Sequence, residues 1–217
     1  MSFLSKIRST KARMPLGKMA LNTAAVLLLG IALGVFSKYL DYRQASLPQF
    51  LMLIDEALDL HNFLGRFPFW VAAALCISVY SNSSVRAAVN VFAFFAGMVS
   101  SYYVYSKYVA GFFPKSYAMI WVAFTIISPL LAFICWYSKG STKVSIVLSS
   151  MIFAVMFNMT FAYGRLYFGV YSVLELITFV FSVIILWRAA IKETVLMIAL
   201  GTAIALILKA VMPFHLG

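Results

Sequence analysis

Long apolar runs separated by short polar breaks organise this chain. The runs fall at about 19–38, 67–82, 85–107, 116–137, 143–164, 169–187 and 193–212. A bilayer core about 30 Å thick needs about 20 apolar helical residues, so the pattern predicts seven transmembrane helices. The run FPFWVAAALCISVY is the shortest, and only residues 81–84 separate it from the next. It predicts either a tight helical hairpin or a short span tied to a tilted neighbour, with a six-span count as the alternative. The fold class is therefore all-α: a polytopic transmembrane helical bundle, one domain over 1–217, with 1–18 as a basic tail.

One break is long. Residues 39–66 contain SLPQFLMLIDEALDLHNFLG. Ser46 and Gln49 form a capping-box pair, and Pro48 suits a first helical turn. Leu47, Phe50, Leu51, Ile54 and Leu58 recur at helical spacing, while Asp55, Glu56 and Asp59 lie off that stripe. Gly65 is a stop signal. The pattern predicts an amphipathic helix about four turns long, lying in the membrane interface. As a lid over the bundle it would present Asp55, Glu56, Asp59 and His61.

Composition agrees with burial in lipid. The 217 residues are 64% hydrophobic and 11% charged, whereas soluble domains are about 45–50% apolar and about 25% charged. The lipid bilayer is thus the first partner. The net charge of +11 comes from 17 Lys and Arg against 6 Asp and Glu. On a soluble chain that excess would suggest nucleic acid. Here the basic residues punctuate apolar runs, as topology signals do, and no nucleic-acid motif accompanies them. With the N-terminus in the cytoplasm, ten basic residues lie inside, among them Lys6, Arg8, Lys11, Arg13, Lys18, Arg86, Lys139 and Arg188. Seven lie outside, including Arg66 and Arg165. The long acidic loop is then an outer loop.

Hydrolytic chemistry has little to build on. Cys76 and Cys135 both sit within apolar runs, and the two histidines, His61 and His215, lie far apart in sequence. Neither metal-ligand spacing nor a phosphate-cradling glycine loop is present, so no cofactor and no enzyme activity are expected. Small residues recur at four-residue spacing, most sharply at Gly30 and Gly34, then at Ala93/Gly97 and Gly201/Ala205. Such pairs let helices approach closely. They serve either packing within the chain or docking onto another membrane protein.

Polar residues within apolar runs are the remaining candidates. Asn90 lies early in the third run, Asn158 and Thr160 late in the fifth, and Glu175 in the sixth. An acid at the centre of a membrane helix costs about 2.5–3.5 kcal/mol on insertion scales. Arg165, in the turn between the fifth and sixth runs, is the expected partner of Glu175. The topology collects Glu175, Asn158 and Arg165 at the outer end with Tyr102, Tyr105, Tyr163 and Tyr171. These residues either form an interfacial belt with one ion pair, or line an outward pocket for a small ligand.

Two resemblances add a context. NFLGRFPFW, VRAAVNVFAFFAGMVSSYYVYSKYVAGFFPKSYAMIW and ISPLLAFICWYSKG resemble a family of small, uncharacterised multipass membrane proteins of Gram-positive bacteria. That resemblance covers the larger part of the chain and implies a bacterial cytoplasmic membrane, without any chemistry. In architecture the chain also resembles the substrate-binding subunits of energy-coupling-factor vitamin transporters, which normally have six spans. It implies that Gly30 and Gly34 dock on a transmembrane partner subunit served by a separate ATPase. The expectation is a non-enzymatic membrane subunit that binds a small ligand from outside. The alternatives are an accessory subunit without a ligand, and a flippase for lipid-linked precursors.

Overall fold

The computed structural model describes residues 3–10, 14–43, 46–164 and 166–211. Arg165, Lys11, Arg13 and His215 lie outside the described residues. The elements in chain order are α1 (Phe3–Ile7), α2 (Leu16–Arg43), α3 (Gln49–Leu58), α4 (Leu60–Gly65), α5 (Phe67–Tyr80), α6 (Ser84–Tyr108), α7 (Lys115–Tyr137) and α8 (Lys143–Thr160). A two-stranded hairpin, β1 (Phe161–Tyr163) and β2 (Phe168–Val170), precedes α9 (Val173–Leu186) and α10 (Ile191–Val211).

The protein is a helical bundle of membrane type. Among the described residues five helices, α2, α6, α7, α8 and α10, are long and apolar enough to cross a membrane. Helices α5 and α9 are apolar too, but each has only 14 residues. That length gives about 21 Å of helix against a core of about 30 Å. Helix α5 sits inside the bundle, where protein rather than lipid covers most of it, whereas α9 buries one face and leaves Val173, Ile177, Val180 and Ile184 exposed. Helix α5 packs on α6, α7, α8 and α9, while α2 packs chiefly on α6 and α10 on α8.

Short connections force successive helices to alternate in direction, which gives the bundle two chemically distinct ends. The basic end holds the starts of α2, α6, α8 and α10 and the finishes of α5, α7 and α9. The opposite, first-loop end holds α3, α4 and the hairpin, with Asp41, Asp55, Glu56, Asp59 and Glu175.

Glycine sets the closest helix contact. A methyl built on Gly30 overlaps the Phe94 carbonyl oxygen, and one on Gly34 overlaps the Met98 carbonyl oxygen. In return, a methyl on Gly97 would lie 2.6 Å from the Leu27 carbonyl oxygen. Gly201 likewise faces Phe153 and Ser150 of α8. Gly30 and Gly34 therefore serve the chain's own α2–α6 contact.

Four further features differ from the sequence pattern. First, the fifth apolar run leaves the helix at Thr160 and turns through β1 and β2, where the Phe161 and Phe168 rings stack at 5.2 Å. A short aromatic run does not distinguish strand from helix by hydrophobicity alone. Second, Glu175 consequently falls in the first turn of α9 rather than six residues into a span. Third, the basic tail is partly folded. Ile7 of α1 is only 4% exposed and packs with Ala87, Trp136 and Tyr137.

Fourth, the single amphipathic helix is two helices, broken at Asp59, which adopts φ 54°. The N-cap position of α3 is Pro48 rather than Ser46. Helix α3 buries none of its residues, and Phe50 and Leu53 are exposed. Its apolar face is thus free to lie in lipid. Aspartate tolerates the left-handed region, where a β-branched residue is strained. Asp59→Gly is expected to leave the thermal unfolding midpoint in detergent nearly unchanged. Asp59→Val is expected to lose about 1–2 kcal/mol. Equal midpoints for the two variants would contradict this account of the break.

Candidate functional site

At the first-loop end, buried Glu175 begins α9, and the Ser172 hydroxyl accepts its backbone N–H at 3.3 Å. Its carboxylate meets Arg66 Nε at 3.1 Å, yet neither carboxylate oxygen has a hydrogen bond. The contact is an ion pair of poor hydrogen-bond geometry. Arg66, at the junction of α4 and α5, also reaches Asp59 Oδ2 at 3.3 Å. The expected Glu175 partner, Arg165, lies outside the described residues; among these the carboxylate's partner is Arg66, which in the sequence reads only as an outer-loop charge.

The other predicted ligand residues separate into different clusters. Asn158 Nδ2 donates to the Ala205 carbonyl at 3.1 Å, and its Oδ1 accepts the Tyr163 hydroxyl at 2.6 Å. The Lys209 ammonium lies 3.8 Å over the Tyr163 ring centre. This group ties α8, the hairpin and α10 together, with no open aromatic face. Tyr102 donates to Asp41 at 3.4 Å, and Asp41 pairs with Lys38. Tyr105 is half-buried and Tyr171 exposed, its N–H donating to the Thr160 carbonyl at 3.0 Å. Among the predicted lid residues, Asp55 accepts the His61 backbone N–H at 2.8 Å and its carboxylate meets His61 Nδ1 at 2.9 Å. His61 Nε2 lies 3.8 Å from Asp59, and Glu56 is exposed.

The cavity between Trp70, Tyr102, Tyr103 and Trp121 at this end has about 20 Å³. That is space for one water molecule, and the buried Tyr103 hydroxyl beside it has no partner. At this end aromatic rings pack on one another. Phe67 stacks on Trp121 at 4.8 Å, and Phe157 contacts Phe161 at 4.6 Å.

The basic end is built from cations on helix C-termini, which carry unpaired carbonyls and partial negative charge. Arg188, 6% exposed, donates to the Ser138 and Gly140 carbonyls at 3.0 and 2.5 Å and pairs with Glu193 at 2.8 Å. Arg8 donates to the Trp136 and Val79 carbonyls at 2.5 and 2.9 Å, with its guanidinium 4.3 Å over the Trp136 ring. Lys139 donates to the Trp187 carbonyl. Burial first, then the charges of Arg188 and Arg8, hold Lys139 below the ordinary lysine range.

Beside this cap lies a large cavity of about 740 Å³, between α2, α5 and α6, with Thr10 and Met14 also lining it. Its polar groups form a network. The Thr23 hydroxyl donates to Asn90 Oδ1 at 2.8 Å, and Asn90 Nδ2 donates to Ser81 Oγ at 3.3 Å. Arg86 Nη2 donates to the Met19 carbonyl at 2.7 Å and to Asn90 Oδ1 at 3.3 Å, and it also meets the Thr23 hydroxyl. Asn22, Asn82 and Ser83 add further polar lining, and Ala25, Val26 and Ile77 supply apolar wall.

In the sequence Asn90 stands out as a polar residue within an apolar run, while Arg86 reads as a topology charge. Their four-residue spacing puts both on one helical face, which was the available signal. Among the described residues no group of three His, Cys, Asp or Glu is placed to hold a metal. In comparisons with known proteins, no family model, no curated protein and no solved structure matches the chain.

Proposed function

We propose that this chain is a seven-span subunit of a bacterial cytoplasmic membrane, N-terminus inside, that holds a small ligand for transport. It has no catalytic role of its own in this reading. Seven spans count α5 and α9 with the five long helices. The distribution of Lys and Arg supports the orientation, which makes the basic end cytoplasmic. Energy for transport, where needed, would come from a separate ATPase, since the chain contains no phosphate-cradling glycine loop.

The 740 Å³ cleft carries the proposal. Ligand pockets run about 300–1,000 Å³ and combine apolar walls with a few convergent polar groups. Polar groups at membrane depth are costly and mark substrate paths. Transporters also place binding sites beside unusually short helices, and α5 lines this cleft with Ile77 and Tyr80. The ligand site is thereby moved from the outer end, where the expected residues are engaged with one another, to the basic end.

Native mass spectrometry of protein purified in mild neutral detergent tests this. A small molecule should be retained in stoichiometric amount. Val26→Trp, which fills the cleft, should remove it, and Asn158→Ala should keep it. Retention by Val26→Trp with loss in Asn158→Ala would return the site to the first-loop end. The absence of any bound molecule would favour an accessory subunit without a ligand.

A further inference from the structure

The cleft has a charge that no described acidic residue balances. Arg86 projects from the first turn of α6 and shares one nitrogen among three neutral oxygens, those of Met19, Thr23 and Asn90. All six acidic residues are placed elsewhere. Asp41 pairs with Lys38, Asp55 with His61, Asp59 and Glu175 with Arg66, and Glu193 with Arg188, while Glu56 is exposed at the far end of the bundle. A guanidinium binds carboxylate or phosphate more strongly than neutral oxygen. A membrane cleft that contains one without a counter-ion is therefore selective for an anion. The start of α6 beside it adds partial positive charge in the same place.

The rest of the cleft describes the remainder of the ligand. Each wall is one helical stripe: Met19, Asn22 and Val26 on α2, Ile77 and Tyr80 on α5, Arg86 and Asn90 on α6. Asn22, Asn82 and Ser83 cluster near Arg86, toward the helix ends. Val26 lies further into the bundle, about three turns from the start of α2, and Ile77 lies just under about one turn from the end of α5. Asn90, 8% exposed, has both ends of its amide engaged, by Thr23 and Arg86 on one side and Ser81 on the other. It is a positioning residue that holds Arg86 rather than a ligand group. The α2 wall is continuous with lipid-facing surface, since Leu16, Leu21, Leu28 and Leu29 are all exposed. A chain could slide in from the membrane while its head stays at the interface.

We infer that the cleft binds an anionic amphiphile, its phosphate or carboxylate head on Arg86 and its apolar chain along Val26 and Ile77. This deepens the proposed function and rests on it, because it assigns a ligand class to the same cleft. No bond is made or broken; the amphiphile is held, or passed on, intact.

The test uses full-length protein in a neutral maltoside detergent. Tryptophan fluorescence follows thermal unfolding as dodecyl phosphate, dodecanoate, dodecanol or inorganic phosphate is added below micellar concentrations. Dodecyl phosphate or dodecanoate should raise the midpoint in a saturable way. Dodecanol and inorganic phosphate should act at least about tenfold more weakly, since each lacks one half of the recognition. Arg86→Gln should weaken binding about tenfold, and Arg86→Lys should retain part of it. Asn22→Ala, at an exposed position on the rim, should weaken binding without touching the fold and serves as the second variant. Dodecanol binding as well as dodecyl phosphate would overturn the anionic half. Inorganic phosphate binding as well would overturn the amphiphile and leave a free-anion site. If no compound binds while Val26→Trp still expels a co-purified molecule, the ligand class is wrong and the cleft stands. If Val26→Trp expels nothing either, both readings fall.

Discussion

Gly30→Ala is expected to be among the most damaging single-methyl changes this protein can suffer. The added carbon would overlap the Phe94 carbonyl oxygen and lie 3.0 Å from the Phe94 carbonyl carbon and 3.2 Å from the Met98 nitrogen. All three are backbone atoms, so no rotamer change relieves the contact. Helix α2 must move away from α6 along the whole seam, which Gly34 and Gly97 also keep close. Without a hydrophobic force between helices in lipid, such packing is what holds them together. Overpacking a tight site costs about 1–3 kcal/mol, and rigid backbone neighbours place this case at the upper end. Because α2 also forms one wall of the cleft, ligand retention should fall with stability. Gly17→Ala, with nothing within 4 Å of the new carbon, is the control and should unfold as the parent does. Matching midpoints for the Gly30 and Gly17 variants would contradict the packing account.

The second large effect is expected at Arg66. Arg66→Met leaves the Glu175 carboxylate buried beside an apolar side chain. Breaking a buried pair by removing one partner costs about 3–5 kcal/mol. Removing both partners is far milder, so Arg66→Met with Glu175→Met should recover most of the loss. Arg66 is partly exposed, with side-chain accessibility of 26% against 1% for Glu175. Glu175→Met alone should therefore cost less than Arg66→Met alone, because the orphaned guanidinium can reach water and Asp59. Unfolding midpoints of the four proteins complete the cycle. A double variant as unstable as the sum of the singles would mean that the two residues do not interact.

These two predictions mark what was legible in the sequence. Apolar length located the seven apolar helices, α2 and α5–α10, of which five are long enough to cross a membrane. Small residues at four-residue spacing revealed close helix contacts, but not that α6 itself is the partner of α2. Spacing identifies a face and leaves its neighbour unknown. The depth of Glu175 was misread because β1 and β2 interrupt what hydrophobicity presents as continuous helix. Arg66, far from Glu175 in sequence and near in space, was not legible as a partner, since only Arg165, which lies outside the described residues, is near in sequence. The lid helix divided at Asp59 because one residue can enter the left-handed region without altering the periodicity around it. Arg86 was hidden for another reason. A basic residue at a helix start reads as a topology signal, and only the distribution of the six acidic side chains across the fold shows that none of them pairs with it.

The cleft at the basic end is the centre of this account, and photolabelling tests it most directly. A dodecyl phosphate with a diazirine in its chain would be irradiated with the full-length protein in neutral detergent, and the labelled residues mapped by peptide mass spectrometry. Label concentrated around Val26 of α2 and Ile77 of α5, and competed away by unlabelled dodecyl phosphate, is the predicted result. Label concentrated near Tyr102 and Trp121, or spread over the lipid-facing surface of α7 without competition, would contradict it.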